Sequence, residues 1–225
     1  TYFYNPKNSV SIISCELLQG IKSVYIKRIR EICEKNDIHV SVIAYVRSVY
    51  EQSYSTYIQG VKRSSVTHCF GERSDDICFF TTVEYLKRYL DVFGDDLIVL
   101  NYDGAKKDIY ASFATTTGID RSETKDIRAK VNRSLTRQEA EVLRRVNALH
   151  KGIFSSQISD FVIGLSPSAK TTVLYDEALV HRVRKDTEED MRWINEQFGM
   201  TPPLVSDYYS GEKNAYSVTP DRASY

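Results

Sequence analysis

A chain of 225 residues is long enough for one ordinary domain with a single sizeable core. Apolar side chains make up 42%, and basic and acidic residues balance at 30 each, which argues against a disordered chain and against nucleic acid or anionic lipid as the main partner. No apolar run nears the roughly 20 residues of a spanning helix, and no secretory signal is visible at the start.

In chain order, Val10–Cys15 reads as a short apolar strand. A helix follows whose apolar positions Ile21, Tyr25, Ile29 and Ile32 share one face. The β-branched stretch ending at Val46 predicts a strand apolar on both sides, the kind buried between helix layers. Tyr50, Tyr54, Tyr57, Ile58 and Val61 mark the buried face of the next helix. Between Lys62 and Phe80 the chain turns polar, as an exposed loop does. Thr81 and Glu84 spell a capping box, Leu86, Tyr89, Leu90 and Phe93 an apolar stripe, and Gly94 a C-cap. Asp96–Tyr102 is the third strand.

Strands alternating with helices predict an α/β fold with a mainly parallel central sheet. In such sheets ligands bind beyond the carboxyl ends of the strands, here Glu16, Arg47 and Tyr102/Asp103. Further on, Asp120–Lys130 reads as a charged mobile loop, and Thr136 with Glu139 as a second capping box with Leu135 stapled to Ala140. A last capped helix is expected to start at Thr187, bury Met191, Ile194 and Phe198, and stop at Gly199. Residues 1–205 are expected to form one domain and 206–225 a flexible tail.

Cys15, Cys33, Cys69 and Cys78 share no close spacing and the histidines no metal-like pattern, so reduced thiols in a cytoplasmic protein are the simplest reading and no metal is expected. A Cys69–Cys78 disulfide is the alternative in an oxidising compartment. His68, Cys69 and Cys78 make at best half a zinc site.

The chemistry-bearing feature is Arg47 at the end of a strand, with Ser55 eight residues on along the following helix. A planar guanidinium beside a helix start and a hydroxyl suits a terminal phosphate; the alternative is a strand-end arginine paired with a surface carboxylate. No Walker A, GxGxxG, GxSxG or HExxH pattern occurs. A kinase-like enzyme therefore lacks its phosphate loop. A glycosyltransferase lacks a clear metal motif, since Asp75-Asp76 and Asp95-Asp96 read as loop carboxylates.

Ser11–Glu16, Val42–Arg47 with Ser55, and Leu97–Asp103 resemble successive strands of the sulfotransferase family that uses 3′-phosphoadenosine 5′-phosphosulfate. Gly118-Ile-Asp120 and Val131-Asn-Arg-Ser-Leu135 are similar to later segments of its bacterial carbohydrate-type members, so that the likeness covers about residues 9–199. The resemblance implies a three-layer, P-loop NTPase-like sandwich with a helical C-terminal part. It implies transfer of a sulfuryl group to a hydroxyl or amine of a carbohydrate-like acceptor, releasing adenosine 3′,5′-bisphosphate. Arg47 and Ser55 match the grip on the cofactor's 3′-phosphate. Arg133 is placed over the adenosine phosphate or, equally, in the start of a helix. Glu16 stands where the family has a base or acceptor-facing residue, or is a helix-start carboxylate favoured by the dipole. The family's KxGTT-type loop for the 5′-phosphosulfate is absent. Family order puts it ahead of the Ser11 strand, so a truncated chain is expected, with a cytoplasmic bacterial enzyme or, in a eukaryote, one of the Golgi lumen. A non-catalytic nucleotide-binding or scaffolding remnant of the fold is the alternative function.

Overall fold

The computed structural model describes residues 10–73, 76, 80–120, 133–151, 153–169, 177–201 and 203–204. The described elements are helices α1 (Ser23–Lys35), α2 (Val49–Arg63), α3 (Phe80–Phe93), α4 (Tyr102–Ala105), α5 (Ile109–Thr117), α6 (Arg137–His150), α7 (Ser155–Leu165) and α8 (Glu177–Phe198) and two strands, β1 (Val42–Val46) and β2 (Leu97–Asn101). Those strands pair in parallel in a two-stranded sheet. The protein is mixed α/β and 65% helical, so helix packing rather than sheet stacking supplies most of its core. No helix among the described residues is long and apolar enough to cross a membrane.

The chain divides into two compact units, Thr1–Ile43 with Thr81–Ile98, and Ala44–Phe80 with Val99–Tyr225. In the first, Val10–Cys15 is not a strand; Cys15 leads into a 3₁₀ turn at Glu16–Gly20. Among the described residues the apolar run has no ladder partner, and an unpaired strand leaves its amides without bonds. The 3₁₀ turn is tied to α3 instead: Tyr89 Oη donates to the Leu18 carbonyl at 2.7 Å, and Arg88 to that of Gln19 at 3.0 Å. α1 forms as expected but turns a different face inward. Ile26 is its buried residue, whereas Tyr25, Ile29 and Ile32 are exposed. Arg30 pins α1 to the turn after α3, reaching Asp96 at 2.7 Å over the ring of Phe93. α3 starts at Phe80, ahead of the threonine expected to cap it, and ends where Gly94 takes a positive φ of 53°.

The second unit is organised on α2, which packs against α6, α7 and α8. Its Tyr50, Tyr54, Ile58 and Val61 are buried as their spacing predicts, and Phe70 from the following loop closes on three of its tyrosine rings at 5.2–5.6 Å. Asn147 of α6 donates to the carbonyls of Val61 and Val66 and so fixes where α2 ends. The capping box of α6 is present in both halves, and Leu135 and Ala140 are buried beside it. α8 is longer than expected. Thr187 lies in its middle, its hydroxyl donating to the Val183 carbonyl at 2.7 Å, because Leu179, Val180 and Val183 extend the buried stripe by two and a half turns upstream. The helix does stop at Gly199, with φ 57°. The expected loop at 121–130 and the expected tail at 206–225 lie outside the described residues.

Candidate functional site

Parallel pairing brings the carboxyl ends of β1 and β2 side by side, so Arg47 and Ser48 after β1 meet Tyr102 and Asp103 after β2. Ser48 caps α2, its Oγ accepting from the Glu51 amide, and its own amide donates to Asp103 Oδ2 at 2.7 Å. Asn101, the last residue of β2, accepts from the amides of Asp103 and Gly104 and so starts α4. These local bonds turn both chains sharply at the strand ends and hold the charged residues there.

Four charges gather at this edge. Arg47 Nη2 donates to Glu51 Oε2 at 2.6 Å, and its guanidinium lies 5.3 Å from the centre of the Tyr102 ring. Lys106 Nζ sits 3.3 Å from Asp103 Oδ1 and 3.8 Å from Glu51 Oε2. The two carboxylates are buried and the two cations half-buried above them. Arg47 Nε is buried with no hydrogen-bond acceptor. The Arg47 side chain is 28% exposed, and an arginine that holds a carboxylate with one nitrogen can take a second anion on whichever other N–H groups face solvent, because its five donors point in a fixed fork.

Ser55 is exposed on α2, one turn beyond Glu51. Arg133 is 3% exposed and grips Glu139 with both terminal nitrogens at 2.8 and 2.9 Å. Those bonds, with Glu139 also accepting from the Thr136 amide, suit the helix-start reading of Arg133. Glu139 is held below the usual carboxylate range by that arginine. Glu16 opens the 3₁₀ turn of the first unit, whereas Arg47, Ser55 and Arg133 all belong to the second. Glu51 and Lys106 escaped the sequence reading. Glu51 could have been found from Ser48-x-x-Glu51, a capping-box spelling, and from its four-residue spacing to Arg47. Lys106 follows β2 by too irregular a turn to be read.

His68 binds Asp76 at 2.8 Å, and Cys78 lies outside the described residues. Cys15, Cys33 and Cys69 are free thiols, so the Cys69–Cys78 disulfide considered above is not formed. The Cys69 thiol is pushed up, chiefly by desolvation with Glu72 adding to it, which is the wrong direction for an attacking thiolate beside the His68–Asp76 pair.

Comparison with protein-family models, with curated proteins and with solved structures finds no match.

Proposed function

We propose that the strand-end cluster is an anion site for the 3′-phosphate of an adenine nucleotide, and that the chain is a sulfotransferase-type α/β protein with a carbohydrate-like acceptor. The three-layer, P-loop NTPase-like arrangement belongs to this proposal. The single observation that supports it best is Arg47: over Tyr102 where two parallel strands end, with one donor on Glu51 and part of its side chain open to solvent. In this reading Arg47 binds the phosphate, Tyr102 holds the guanidinium flat, and Ser55 adds a hydroxyl. Glu51 orients Arg47, and Lys106 lies beside the same carboxylate. The bound donor supplies the sulfuryl group, and Glu16 is the residue assigned to accept the acceptor's proton.

The test is binding of adenosine 3′,5′-bisphosphate, followed by thermal shift and calorimetry. Arg47→Ala alone strands the buried Glu51, so the informative variant is the pair Arg47→Gln/Glu51→Gln, which removes both charges together. Loss of a charge-assisted contact of about 1.5–3 kcal/mol weakens binding by roughly 10- to 150-fold. Adenosine 5′-monophosphate, lacking the 3′-phosphate, is expected to bind equally weakly to both proteins. Equal bisphosphate affinity in the wild type and the double variant refutes the assignment.

A second reading has one observation in its favour. Arg47 and Lys106 are matched by Glu51 and Asp103, so the cluster carries no net charge, as a non-catalytic scaffolding domain of the same fold would keep it. Nucleotide binding without sulfuryl transfer to any sugar acceptor distinguishes this case.

A further inference from the structure

Helix α7 is built inside out. Ser155 and Ser159 are buried, Ser159 at 0% exposure, and Ser159 Oγ takes a hydrogen bond from Arg63 of α2 at 3.1 Å. Phe161 and Leu165, by contrast, stand 68% and 67% exposed. Phe154, Ile158, Phe161 and Leu165 recur at helical spacing and form one stripe, about 16 Å long at ~1.5 Å per residue. Leu149 at the end of α6, 79% exposed, and exposed Ile153 in the connecting turn continue it. The rings of His150 and Phe154 meet at 6.2 Å where the two helices join.

We propose that this face is the contact surface of a symmetric dimer, occupied by α7 of a second copy of this chain. Area is the first argument. Exposed side chains of this size offer on the order of 100 Å² each, so Leu149, Ile153, Phe154, Phe161 and Leu165 together present roughly 500 Å². A homodimer interface of about 800 Å² per partner that is about 65% apolar needs the same amount. The stripe is also self-complementary, since two such helices crossing antiparallel about a two-fold axis place Phe and Leu against Leu and Phe. Gly164 borders the stripe with open space where a Cβ would stand, which lets a second helix approach closely. The acid beside it is already neutralised, Asp160 being held by Arg63 at 2.7 Å. A membrane surface fits less well. α7 itself contains no Lys or Arg, Lys151 and Lys170 being the nearest in sequence, whereas a helix lying on anionic lipid is rich in them on its polar face.

Sedimentation equilibrium of the full chain over a wide concentration range tests this. Wild type is expected to be a dimer, and Phe161→Asp to raise its dissociation constant at least tenfold. Circular dichroism should be unchanged, because the side chain is solvent-facing within one copy. Should Phe161→Asp lose its fold, Leu165→Ser is read in the same way. A wild type that is monomeric at every concentration overturns the proposal, as does a dimer that both substitutions leave intact, or a monomer that floats with anionic vesicles.

Discussion

Lys62 is 4% exposed and has no hydrogen-bond or ion-pair partner among the described residues. Burial, and then the neighbouring Arg63, lower its pKa from the ordinary 10.5, against the pull of Asp160. The folded protein therefore holds this proton less tightly than the unfolded chain does. Between the two pKa values the unfolded state binds more protons, so stability rises with pH on the alkaline side. Lys62→Met keeps the packed stem and removes the charge. It should raise stability at pH 7 by about 1 kcal/mol or more and flatten that alkaline rise in urea titrations. A loss of stability would mean that the ammonium has a partner worth keeping. Nothing in the local pattern betrays Lys62. Its place on α2, directly after the buried Val61, is legible, but a lysine next to an apolar residue ordinarily reads as the end of a solvated face.

Among the elements, α6 shows how far local pattern carries. Thr136 and Glu139 spell its start and the structure keeps both bonds of the box, yet the spelling hides that Glu139 also neutralises Arg133. That pair makes α6 acid-sensitive. Because Arg133 lowers the Glu139 pKa from 4.5, the stabilisation is fully present above the unfolded value and is lost as pH falls through the folded one. Glu139→Gln strands a buried guanidinium and should cost about 3 kcal/mol near neutral pH, with the difference from wild type shrinking in acid; chemical denaturation from pH 7 to 3 measures both. Other elements were legible only in part. Periodicity says which side chains share a face, not which face meets the core, and so α1 buries Ile26 rather than the stripe through Ile29. Thr187 resembles a cap because Glu188 and Glu189 follow it, but upstream apolar residues at the same spacing carry α8 through it. α7 defeats the rule entirely, its small polar side facing inward.

For the molecule as a whole, the parallel pairing of β1 with β2 was legible from their β-branched runs. The sheet's size was not, since Val10–Cys15 has strand composition but joins no strand among the described residues. The functional proposal assigns binding to Arg47 and proton acceptance to Glu16. Glu16→Gln should leave bisphosphate affinity unchanged while lowering sulfuryl transfer by about a hundredfold or more, the range for a general base. A radiolabelled donor assay alongside calorimetry reads the two independently; reduced affinity would take the base assignment away from Glu16.

The bond from the Ser48 amide to Asp103 joins the two strand ends through a main-chain donor. Such a tie is blind to the identity of the residue supplying the N–H. Because Ser48 is fully buried, position 48 can therefore change among the small residues able to begin a helix, proline being barred for want of a hydrogen, while position 103 has no such latitude. The cluster's framework thus rests unevenly on its two halves, one anchored by peptide geometry and the other by a single carboxylate.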